Sequence, residues 1–150
     1  MLIVICCVVK GFMLGGHSLI VEHVSEISVP PQEVFDALGD ADVLSGCLAP
    51  LERIRITAET GGRIGFRDPD LGVVIGRVGE YERGVRMTWR MIQNWPRVLS
   101  FDFSTIPGGC RVNLIQSDFA VLRGDGPDVN DLFAERWDRW MTALKRHLES

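Results

Sequence analysis

From Val129 onward the apolar residues Val129, Phe133, Trp137, Trp140, Leu144 and Leu148 recur three or four apart, and Asp131, Glu135, Asp138, Arg139, Lys145 and Arg146 occupy other positions. This spacing predicts one long amphipathic helix with a single buried stripe. Acidic Asp128 and Asp131 stand at its start and basic Lys145 and Arg146 at its end, the arrangement that complements the helix dipole. A stripe bearing two tryptophans needs a broad apolar partner, and the chain ahead of it reads as strands from about Leu51. A hollow between that helix and the sheet is therefore where function is expected.

Leu19 to Val29 alternates, with Leu19, Val21, His23, Ser25, Ile27 and Val29 on one side, as a half-buried strand does. Pro30 and Pro31 end it. Val34, Phe35 and Leu38 then suit a short helix over Gln32 to Leu38, stopped by Gly39. Asp40 is placed to cap a second short helix from Ala41 to about Cys47.

After Leu51 the period changes to two. Ile54, Ile56 and Ala58 alternate with polar residues, Gly61-Gly62 turns the chain, and Ile64 and Phe66 continue in a return strand. Asp68-Pro69-Asp70 is a turn by composition, and with Arg63 and Arg67 it reads as a solvated charged cluster. Val73 to Tyr81 is a further strand. Val85, Met87 and Trp89 face inward in the next, which Asn94-Trp95-Pro96 breaks. Leu99, Phe101 and Phe103 alternate in another strand, Pro107-Gly108-Gly109 makes a hairpin turn, and Val112, Leu114 and Gln116 complete the last strand.

The expected class is α+β: a strand, two small helices, about six further antiparallel strands and a long helix. Connections this short favour sequential pairing, and such a sheet twists and curls as it widens. The terminal helix must cover the concave face. A straight helix leaves part of a curved face open, which makes a cavity lined by both elements.

A chain of 150 residues is the size of one domain, expected over 19–150. A net charge of -4 gives no long-range pull toward nucleic acid or an anionic membrane, so neither is an expected partner. Cys6, Cys7, Cys47 and Cys110 lack both zinc-site spacing and disulfide density, which fits free thiols in a reducing cytoplasm. Three scattered histidines give a metal site little to build on. Phosphate-binding loops and dinucleotide glycine fingerprints are absent, so no cofactor is expected.

Residues 1–18 stand apart as an extension. Leu2 to Val9 is an unbroken apolar run, too short to span a bilayer as helix, and no positive charge precedes it as in a secretory signal. An upstream start ahead of Met13 is the expectation, with a membrane anchor as the alternative.

The stretch ISVPPQEVFDALGDADVLSGCLAP from Ile27 to Pro50, with GRVGEYERGVRMTW from Gly76, GGCRVNLIQSDF from Gly108 and a closing LKRHLE, resembles the activator of heat-shock-protein-90 ATPase homologue family. That family lies in the START-like (SRPBCC) superfamily. The resemblance covers roughly Leu19 to Glu149 and implies a helix-grip fold, as in birch-pollen-allergen-like proteins, often enclosing a hydrophobic ligand cavity. Two positions depart from the family's habit: Cys47 stands where tryptophan is common and Gln116 where histidine is frequent. Pocket shape and polarity are therefore expected to differ from those of relatives.

The residues expected to line the cavity are His23, Ser25, Phe66, Trp89, Phe101, Gln116, Phe133 and Trp137. His23, Ser25 and Gln116 are polar side chains on inward positions, where each needs a partner, either within the protein or on a ligand. An aromatic stripe is more often plain core than the cage of a ligand. Cys47 has no basic neighbour in sequence to activate it. No catalytic grouping stands out, because His17, His23 and His147 fall in separate segments.

The leading expectation is binding of a small hydrophobic molecule. A cyclase, hydrolase or isomerase with His23 as proton acceptor, aided by Glu80 or Asp118, is the alternative, since START-like relatives include cyclases. A third reading is a chaperone-binding or homodimeric interaction module, with Trp95 and Phe119 as exposed contacts.

Overall fold

The computed structural model describes the backbone of residues 8–10, 20–118 and 126–150, and the side chains of 20–118 and 129–150. Its elements are β1 (Val8–Lys10), β2 (Ile20–Ile27), α1 (Pro31–Leu38), α2 (Ala41–Cys47), β3 (Glu52–Ile56), β4 (Arg63–Asp68), β5 (Gly72–Glu82), β6 (Arg86–Gln93), β7 (Val98–Ile106), β8 (Gly109–Ser117) and α3 (Gly126–Glu149). The strands form one antiparallel sheet in the order β1-β2-β8-β7-β6-β5-β4-β3. Seven of them, β2 to β8, make the curved sheet that wraps on α3, and β1 adds to its edge by pairing Val8 with Glu22 and Lys10 with Ile20.

Local chemistry explains the small helices. Pro31, whose missing N–H costs a first turn nothing, starts α1. The Asp40 carboxylate accepts from the backbone N–H groups of Asp42 at 2.9 Å and Val43 at 3.4 Å, satisfying donors that α2 leaves open. At the β7–β8 hairpin Gly108 has φ of 81°, a conformation that favours glycine, and a side chain on Gly109 would lie 2.1 Å from the Ile27 carbonyl oxygen.

Register places the inner face. His23 lies opposite Leu114, Ser25 opposite Val112, and Gln116 opposite both Val21 and Leu99. These residues are buried with Phe66, Met87, Trp89 and Phe101, and the helix stripe of Phe133, Trp137, Trp140, Met141 and Leu144 covers them. The far end of α3 is fixed to β2 and the loop after it. Lys145 Nζ donates to the Glu26 carbonyl at 2.7 Å, and Ser28 N–H donates to Glu149 Oε2 at 2.8 Å.

Three expectations are corrected. Val85 does not face inward: it is 48% exposed, because Gly84, with φ of 75°, makes a turn there and the strand begins only at Arg86. Trp95 is not an exposed contact but wholly buried, since Asn94, with φ of 64°, turns the chain back so that the indole enters the core. Asp68 is not part of a solvated turn; it is buried under Arg136 of α3. Phe119, His17, Cys6 and Cys7 lie outside the described residues.

Candidate functional site

The interior between sheet and helix is aromatic. Trp95 meets Phe66 edge-on at a centroid separation of 4.7 Å and Phe133 at 5.0 Å, and it stacks on Trp140 at 6.1 Å. Phe101 joins Trp89 at 5.5 Å and Trp137 at 6.0 Å. Of the residues expected at the site, Phe66, Phe133, Phe101, Trp89 and Trp137 are thus brought into one network, joined through Trp95. Tilted and edge-on pairs of this kind add to the stabilisation from burial alone.

Polar groups enter this network at separate points. The Trp137 indole Nε1–H donates to Gln116 Oε1 at 2.8 Å, so the inward glutamine predicted on β8 has one partner. Its amide nitrogen, Nε2, is buried and has no partner among the described residues. Asn130, two helical turns before Trp137 on the same stripe, is buried, and neither Oδ1 nor Nδ2 is bonded among the described residues. Sequence spacing could have found Asn130, since it falls three residues before Phe133 on the apolar face; its polarity kept it out of the count. Leaving such groups unmet costs about 1 to 3 kcal/mol each.

A second arrangement centres on His23. Ser25 Oγ lies 3.2 Å from His23 Nδ1, and His23 Nε2 lies 3.5 Å from the half-exposed carboxylate of Asp138. A neutral imidazole protonated on Nε2 faces Asp138 and accepts the Ser25 hydroxyl proton at Nδ1, the tautomer that both neighbours favour. Burial pushes the imidazole below its ordinary value of 6.5, while the hydrogen bond and charge of Asp138 pull the other way. The acid anticipated beside His23 is therefore neither Glu80, which holds Arg86, nor Asp118, which faces Arg97. Asp138 was hidden by distance along the chain, being brought to β2 only when α3 docks.

A third polar group anchors the helix. Arg136 donates to both Asp68 oxygens, at 2.7 and 3.0 Å, and to Asp70 Oδ2 at 2.9 Å. Its guanidinium also lies 5.5 Å from the Phe133 ring centre and 5.4 Å from that of Trp140. Trp95 Nε1–H donates to the same Asp68 carboxylate at 2.9 Å. Burial alone would push the Asp68 carboxyl up, but Arg136, Trp95 and the Asp70 N–H together hold it below the ordinary 3.8. This set is structural: it ties the β4–β5 turn to α3.

Among the described residues no group of histidine, cysteine or acidic side chains is disposed to hold a metal ion. Cys47 and Cys110 are free and buried, and burial pushes the Cys110 thiol up to about 11, which makes it a poor nucleophile.

The meander of strands closed onto β2 and gripped around one long helix is matched in solved structures. The chain has the START-like helix-grip fold. The solution structure of the Aha1 dimer from Colwellia psychrerythraea superposes with a TM-score of 0.68 at 20% identity, covering 84% of this chain and 92% of that one. Protein MLL2253 from Mesorhizobium loti gives 0.67 at 22% identity, over 88% and 96% of the two chains. CalU16 from Micromonospora echinospora gives 0.66 at 13%, over 95% and 87%. At these identities the likeness is one of fold. No protein-family model and no curated protein matches the chain. No helix among the described residues is long and apolar enough to cross a membrane.

Proposed function

We propose that this START-like protein binds a small amphipathic molecule between its sheet and α3. The apolar body would lie against the rings of Phe66, Trp89, Phe101, Phe133 and Trp137, and the polar end against Gln116 and Asn130. One observation carries this reading: among the described residues the Gln116 amide nitrogen and both polar atoms of Asn130 are buried and unbonded beside an aromatic interior. Buried polar atoms without partners are rare in folded proteins and call for a reason. Together they offer donors and an acceptor, the complement of a carbonyl or hydroxyl group. The thiols of Cys47 and Cys110, free and buried, fit a reducing cytoplasm.

Replacing Asn130 by Leu tests the assignment. If the carboxamide is kept for a ligand, Asn130→Leu should stabilise the empty protein by about 1 to 3 kcal/mol, by removing the unmet groups. It should also abolish retention of any small molecule that co-purifies with the unaltered chain. Loss of stability with ligand retained would contradict the assignment.

A second reading rests on His23. A neutral imidazole accepting from Ser25 and oriented by Asp138 has the form of a general base, which would take up a ligand's proton by way of the Ser25 hydroxyl in a cyclase, hydrolase or isomerase. His23→Ala should then abolish turnover while ligand affinity persists; affinity and turnover falling together would return His23 to a binding role. Self-association is part of the same proposal, because one similar structure is that of the Aha1 dimer. The intact mass in native mass spectrometry reads it directly.

A further inference from the structure

The outer face of β3 to β6 concentrates positive charge that the interior site does not use. Arg63 stands directly opposite Arg77 across β4 and β5, and Arg77 directly opposite Arg90 across β5 and β6. Like charges facing one another across strands oppose pairing. Among the described residues none of Arg55, Arg63 and Arg90 has a carboxylate partner, while nearby Glu52 is held by Arg67 and Glu80 by Arg86. Arg77 is steadied by one bond from Nη1 to the Gly61 carbonyl at 2.9 Å, which leaves its other N–H groups available.

These arginines surround a depression. Arg55, Arg63 and Arg77, with Ile75, Ile92 and the backbone of Gly65, line a hollow of about 370 Å³. Gly65 lies in an outward row between Arg55 and Ile75, and the missing side chain there lowers the surface. Packing does not require that glycine: a Cβ would find only the Val74 carbonyl oxygen, at 3.8 Å. Ile75 and Ile92, 46% and 64% exposed, give the hollow an apolar lip.

We propose that this hollow is a second binding site, for a phosphorylated molecule with an apolar portion. A carboxylate is satisfied by one guanidinium fork, whereas three guanidinium groups around one hollow suit a dianionic tetrahedral head with more acceptor oxygens. The phosphate would sit between Arg63 and Arg77 with Arg55 beside it, and the apolar portion on Ile75 and Ile92. The head can belong to a soluble phosphate ester or to an anionic lipid.

Phenyl phosphate titrated into the ¹⁵N-labelled full chain, beside inorganic phosphate and beside vesicles of phosphatidic acid in phosphatidylcholine, tests this. Expected are shifts confined to the amides of 63–65 and 75–77, tighter binding of phenyl phosphate than of inorganic phosphate, and weakening as salt rises. Arg63→Gln and Arg77→Gln should each cost about tenfold in affinity or more. Gly65→Leu should fill the hollow and block binding without lowering the melting temperature. Vesicle binding lost in these same variants, with phenyl phosphate inactive, would assign the head to a lipid; the converse would assign it to a soluble ester. Binding to neither probe, affinity unchanged in the arginine variants, or shifts centred on Gln116 and Asn130 would each overturn the proposal.

Discussion

Among the described residues, Asp68 is the buried side chain on which the most hydrogen-bond donors converge. It accepts from Arg136, from the Trp95 indole and from the backbone of Asp70 and Leu71. A buried pair adds little over well-packed apolar residues, but removing one member strands the other. Asp68→Ala should therefore cost about 3 to 5 kcal/mol, measured by urea unfolding, while a loss below 1 kcal/mol would contradict the anchor. Because the native carboxyl lies below 3.8, its contribution is present above that pH and drains away as pH falls through the lower native value. His23 behaves in the same sense, in a higher pH range. With its native value below 6.5, the unfolded chain takes up a proton first, so stability falls as pH drops below 6.5 and levels once the native imidazole also charges. Asp138→Asn removes the opposing pull and should lower the His23 value further, as read from imidazole NMR shifts; an unchanged or higher value would place Asp138 outside the interaction.

Whole elements were more legible in the sequence than their partners were. The alternation of Val21, His23, Ser25 and Ile27 predicts an inward set that is buried on β2, and the α3 stripe predicts the Phe133, Trp137 and Trp140 face. The reason is that period depends on local geometry alone. Trp95 was illegible because its neighbours Asn94 and Pro96 mark a loop, while its burial is decided by Phe66, Phe133 and Asp68 from other elements. Asp138 and Arg136 escaped for the same reason: each acquires meaning only from what the docked helix faces. Local signals also set α2. Its Asp40 cap should be worth about 1 kcal/mol, so Asp40→Ala is expected to lower stability by that amount. No change in the thermal transition would remove the cap from the account.

At the scale of the molecule, the sheet supplies two faces with different chemistry. The concave face is apolar and aromatic, with a few polar groups from β2, β8 and α3 set into it. The outer face near β4 and β5 is cationic. An interior built only for stability would gain by replacing Asn130 and Gln116 with apolar residues of similar size, as unmet polar groups in a core weaken it. Their presence is what a binding role explains and a packing role does not. Native mass spectrometry of the protein purified from its own host measures this most directly. The account predicts a species heavier than the chain by one small molecule, which is released on unfolding and missing from Asn130→Leu. The bare chain mass alone, under the gentlest ionisation and in both proteins, would contradict it.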